Sequence, residues 1–213
     1  MEDAHTYMIS TAPAVEGLFK LLNEYGWHKM RALAERTYAK TQEELEHHTA
    51  DFNSVNVARE VIAGSILQIA FIAIKRYSVF NVKSENALDF ERQMNRLISE
   101  SPNTRAKTPF SLPKKFCVGR DIGHLPLGML VYAARNQYNH FYANHLDVVN
   151  EVVFNHLHDM WPNPGNGFSF NINDGNNFYC YSMLAALGWT DNADALGYGH
   201  YKKDLMEMLQ IEP

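Results

Sequence analysis

Cysteine is scarce in this chain, with only Cys117 and Cys180 among 213 residues. They form no CxxC pair, which excludes a zinc ribbon and a dense disulfide framework. Long apolar runs are missing too. The longest covers residues 66–74 and is interrupted by Gln68, far short of the about 20 residues a membrane span needs. The N-terminus, Met1-Glu2-Asp3-Ala4-His5, is acidic, and no apolar signal core follows it. No internal repeat or low-complexity tract is visible. Charged residues make up 20% and apolar residues 46%, which excludes a disordered chain and allows a sizeable core. The formal charge of -5 gives no global footprint for nucleic acid but leaves room for a local one. These absences predict a single domain over residues 1–213 in a reducing cytoplasm, with no membrane role.

Helical periodicity dominates what is present. Thr11 with Pro13 reads as a helix start, because proline fits the first turn, where no amide partner is needed. Val15, Leu18, Phe19 and Leu22 continue it with three- and four-residue spacing. Thr41 with Glu44 fits a capping box and predicts a second start. Residues 54–77 carry apolar side chains on more than one face, which predicts a helix buried on most sides. Residues 86–98 form another amphipathic segment.

Residues 101–126 break the pattern with Pro102, Pro109, Pro113 and Pro126. They also hold Arg105, Lys107, Lys114, Lys115 and Arg120 against one acid, Asp121. This local excess reads either as a solvated loop or as a phosphate-contacting rim beside a site. Helix resumes over residues 127–158, with a bend expected near 143–146. The run Trp161-Pro162-Asn163-Pro164-Gly165 ends it. Alternating Phe168, Phe170 and Ile172, then Asp174-Gly175, then Phe178 and Cys180, predict a small β-hairpin within 168–181. Short helices are expected over 182–187 and 198–209. The fold class is all-α, an antiparallel helix bundle with that small hairpin.

Chemistry concentrates in Arg135-Asn136-Gln137-Tyr138-Asn139-His140. On a helix, Asn136 and His140 stack one turn apart. Arg135 and His140 lie about 140° apart around the axis, so one straight helix does not aim both at one phosphate. A neutral imidazole can take a proton near pH 7. A guanidinium can grip phosphate oxygens through two parallel hydrogen bonds.

The Arg, the Asn directly after it, the His five positions on and the small Ala133-Ala134 before it resemble the R-x4-6-H motif of the HEPN superfamily. The resemblance covers about residues 54–161, including the long apolar helix upstream. It leaves the N-terminal arm and the C-terminal tail unexplained. It implies a HEPN-like bundle that pairs as a two-fold homodimer and pools two copies of the motif. It further implies metal-independent RNA cleavage to a 2′,3′-cyclic phosphate, in a bacterial toxin–antitoxin or phage-defence setting, with an antitoxin protein as a candidate partner. On that reading Arg135 clamps phosphate, Asn136 positions and His140 is the acid or base. Lys114, Lys115, Arg120 and Tyr138 are the candidate substrate-binding residues, and no cofactor is expected. A non-catalytic HEPN-like module binding RNA, nucleotide or a protein partner is the alternative, since fold alone does not fix function.

Other groupings point less clearly to a site. His145, His156 and His158 with Asp147 and Asp159 lack the i, i+4 spacing of a helical metal pair, so no metal site is expected. Glu44-x-x-His47 has no second ExxH to complete a di-iron site. Asn173-Asp174-Gly175 is out of register for a calcium loop, because Phe170 fills its first ligand position. Tyr132, Phe141 and Tyr142 have the helical spacing of core or interface residues.

Overall fold

The computed structural model describes residues 3–80, 82–100, 109, 111–139, 148–162, 169–171, 179–190 and 196–211. Among these there are seven α-helices and one two-stranded sheet. The all-α expectation holds.

Two long helices dominate: α1, Ala4–Thr37, and α2, Gln42–Tyr77. At 1.5 Å per residue each is about 50 Å long. They run antiparallel, with Tyr7 hydrogen-bonded to the Ile69 carbonyl at one end and Arg36 over the Phe52 ring towards the other. The start of α1 differs from the sequence expectation. Its N-cap is Asp3, which accepts from the Thr6 amide, and Pro13 lies inside the helix. Both Pro13 and Ile9 are exposed, so the Ile9 carbonyl that proline leaves unpaired lies on the solvent side. The predicted capping box at Thr41 and Glu44 is present in full, and it starts α2 at the expected residue.

Helix α2 is the central element. Ala63, Ile66, Leu67, Ala70, Ala73 and Ile74 are fully buried, which stabilises the fold by roughly 1.5–3 kcal/mol for each large side chain. Before Arg59 the same helix has no buried residue. Although its uninterrupted apolar run is short, α2 as a helix is long and apolar enough to cross a membrane. Half of its most apolar stretch is buried inside the protein.

Helix α3, Glu85–Glu100, packs beside a hairpin of β1, Asp121–Ile122, and β2, Leu125–Pro126. The strands pair antiparallel, Asp121 opposite Pro126 and Ile122 opposite Leu125. Gly123 and His124 turn the chain with φ of 61° and 64°, the two positive values that a two-residue type I′ turn requires. The hairpin therefore falls inside the stretch read as loop. The turn expected at Asp174-Gly175 lies outside the described residues.

Four further helices complete the body: α4, Leu127–Asn139; α5, Val148–Met160; α6, Cys180–Ala186; and α7, Leu196–Leu209. Helices α4, α6 and α7 pack on α2, and α5 packs on α4. The bend expected near 143–146 lies outside the described residues. Glu60 of α2 accepts the Cys180 amide at 2.8 Å and the Tyr181 amide at 3.2 Å. A side chain from the long helix thereby satisfies first-turn donors of α6.

Candidate functional site

The groove beside Arg135 begins with how α4 starts. Its first amides find backbone acceptors, Leu127 donating to the Arg120 carbonyl and Gly128 to the Val118 carbonyl, both at 2.9 Å. The basic segment before the hairpin is thus stitched to the foot of the motif helix. Gly128 makes the approach possible, since a Cβ there would sit 2.6 Å from the Phe116 carbonyl oxygen. A 3-10 turn at Lys114–Phe116 results, and it places both lysines beside α4. Lys83, paired with Glu91, donates to Ser111 Oγ, and Glu91 accepts the Leu112 amide, which holds the segment from the α3 side.

A groove of about 460 Å³ opens between α2, α4 and this turn. Phe71, Phe116 and Tyr132 make its aromatic floor, with Phe71 and Phe116 stacked at 4.9 Å and Phe116 and Tyr132 edge-on at 5.0 Å. Lys75, Lys114, Lys115 and Arg135 line it, and no carboxylate does among the described residues. Lys115 Nζ donates to the Lys75 carbonyl at 3.1 Å, a cation at the helix C-terminus where the macrodipole favours it.

Among the described residues Arg135 is held by uncharged partners. Nε donates to Gln68 Oε1 at 2.9 Å, Nη1 reaches Asn136 Oδ1 at 3.3 Å, and the guanidinium lies 4.3 Å over the Phe71 ring. Asn139, with its carboxamide oriented by these partners, accepts from Nη2 at 2.8 Å. All these partners are uncharged, so the positive charge stays available to an anion. Asn136, the positioning group of the motif reading, lines the groove. His140 is the residue directly after the described end of α4 and lies outside the described residues.

Two expected substrate contacts lie elsewhere. Arg120 pairs with Asp204 at 3.0 Å and donates to the Leu187 carbonyl. Trp189 Nε1 donates to the same carboxylate at 2.8 Å. Arg120 therefore ties the loop to α6 and α7, away from Lys114 and Lys115. Tyr138 packs against Gly64, where a Cβ would meet its ring at 2.3 Å, and it joins the core. Tyr132, read from sequence as core or interface, is the tyrosine that lines the groove. Phe71, Lys75 and Phe116 escaped the sequence reading. Phe71 and Lys75 share a face of α2 one turn apart, a spacing visible in the sequence but silent about what it faces.

Of the histidines weighed as ligands, His156 bonds the Gly123 carbonyl and meets Phe90 edge-on. His145 lies outside the described residues. On the exposed part of α2, His47, His48 and Asp51 bring donor atoms within 4.8 Å of one another. There His47 pairs with Asp51 at 3.4 Å as an ordinary i, i+4 couple.

The chain matches no protein-family model, no curated protein and no solved structure.

Proposed function

We propose that the chain is a metal-independent endoribonuclease of HEPN type, acting as a two-fold homodimer in the cytoplasm, in a bacterial toxin–antitoxin or phage-defence setting. The observation that carries this reading is the groove. An arginine from the R-x4-6-H motif, held by neutral groups, shares it with three lysines and an aromatic floor. Cations suit the phosphates of a single strand, and the rings suit its bases.

RNA supplies its own nucleophile. The 2′-oxygen attacks phosphorus, and one imidazole takes its proton. The bond from phosphorus to the 5′-oxygen breaks, and an imidazolium returns a proton to that oxygen. The products are a 2′,3′-cyclic phosphate and a 5′-hydroxyl, and no water is consumed. Arg135 holds the non-bridging oxygens as their charge builds. Two facing copies of the motif remove the difficulty that Arg135 and His140 diverge around one helix.

The test is incubation of the purified protein with total RNA in EDTA, followed by end analysis. Cleavage leaving cyclic phosphate supports the proposal, whereas cleavage that needs added metal overturns it. The firm anchoring of Arg135 by Gln68 and Phe71 also suits a module that grips RNA without cutting it. Saturable RNA binding with intact RNA recovered selects that second reading.

A further inference from the structure

A second cavity, of about 580 Å³, lies between α1, α2, α6 and α7. It shares no lining residue with the groove. Arg59 and Phe71, one from each site, are about 18 Å apart along α2.

Its wall contains Arg59, only 6% exposed. The guanidinium stacks 3.6 Å over the Tyr181 ring, but its Nε has no hydrogen-bond partner. No acid pairs with it among the described residues. The adjacent Glu60 directs its oxygens to the amides of α6 instead. Burying a charge is strongly unfavourable without compensation. Among the described residues Arg59 has the stacked Tyr181 ring and the charge of Glu60, whose carboxyl is pushed up to about 7 by burial.

Further cations gather on the same wall. Lys29 and Lys20 line the cavity; among the described residues Glu16 is the one acid in its lining, and the charge of Glu60 also acts on Lys29. Burial, then the charge of Arg59, holds the Lys29 ammonium below the usual lysine range. An anion entering here would relieve both the desolvation and the repulsion.

The remaining lining is aromatic. Trp27 lies at the cavity and is 72% exposed. Phe19 and Tyr198 face each other at 6.1 Å, and Trp189 closes the inner side. The volume falls in the range of small-molecule sites, about 300–1,000 Å³. We infer that this cavity binds a small anion carrying a planar ring, with Arg59 and Lys29 taking the anionic group and Trp27 and its aromatic neighbours taking the ring. A nucleoside monophosphate is the chemical class that fits.

The experiment is calorimetric titration of the full chain with AMP, GMP, CMP and UMP, and with adenosine and inorganic phosphate separately. The expected result is saturable binding of at least one monophosphate, with phosphate alone and nucleoside alone each at least tenfold weaker. Arg59→Met and Lys29→Met each weaken binding about tenfold or more, the size of one charged hydrogen bond. Lys114→Ala/Lys115→Ala in the groove leaves it unchanged. If Arg59→Met does not fold, Lys20→Met/Lys29→Met carries the same test from exposed or half-buried positions. Failure of all four monophosphates to bind overturns the inference. So does binding that survives the cavity variants and is lost in the groove variant.

Discussion

Arg135 stands on an aromatic ring of α2, and Arg59, itself on α2, stands on a ring of α6, and their surroundings differ in a way that separates their roles. Arg135 lies over Phe71, is half-buried, and is met by Gln68, Asn136 and Asn139. Arg59 lies over Tyr181 and is buried, and its Nε has no hydrogen-bond partner among the described residues. The first is preorganised at an open groove that can accommodate a chain. The second lines a cavity of about 580 Å³, a volume that suits a small molecule. Fixed neutral partners hold a guanidinium in place without spending its charge, whereas burial without partners makes an arginine depend on whatever enters.

The largest expected effect is at Arg135. Arg135→Ala is predicted to lower RNA cleavage about 10²–10³-fold, as loss of a donor to developing charge does. Gel analysis of RNA decay measures this, and a loss of equal size in Arg59→Met would erase the distinction between the sites.

Next comes the acid beside Arg59. Burial raises the Glu60 carboxyl from 4.5 to about 7. The folded state then binds this proton more tightly than the unfolded chain. The group's contribution to stability is full below about pH 4.5 and is lost as pH rises towards 7. The loss is on the order of 3 kcal/mol at most. Urea midpoints for wild type should fall more than those of Glu60→Gln between pH 5 and pH 8. Parallel curves would show that the carboxyl titrates normally.

Arg120→Ala is expected to destabilise the fold by about 1–3 kcal/mol, because it strips a partner from the buried Asp204 carboxylate. RNA affinity should stay unchanged, since this arginine lies away from the groove. Thermal melts and RNA titrations together check the pair. The smallest effect concerns Lys114→Ala/Lys115→Ala. If each lysine contacts one phosphate, their loss should reduce the salt slope of RNA binding by about 1.4, at roughly 0.7 per contact for a single strand. An unaltered slope would mean that the lysines merely solvate the loop.

Much of the helical frame was legible, because capping and periodicity are local. The Thr41 capping box, the apolar face of α2 and the proline-rich break all come from residues within a turn or two of each other. Pro13 misled because a proline marks where an amide is missing, not where a helix must begin, and an exposed carbonyl tolerates the loss. The groove was half legible. Arg135, Asn136, Lys114 and Lys115 were found from motif and local charge, and the close packing allowed by Gly128 brings them together. Arg120 and Tyr138 were misplaced because Asp204 and Gly64, which claim them, are distant in sequence. The Arg59 cavity was invisible, since an arginine on an apolar helix looks the same with or without a partner.

The most direct test uses an RNA oligonucleotide that the protein cuts at one mapped position, and the same oligonucleotide with a single 2′-deoxy nucleotide there, both in EDTA. The account predicts cleavage of the first and none of the second, because the missing hydroxyl is the nucleophile. Equal cleavage of both would contradict it.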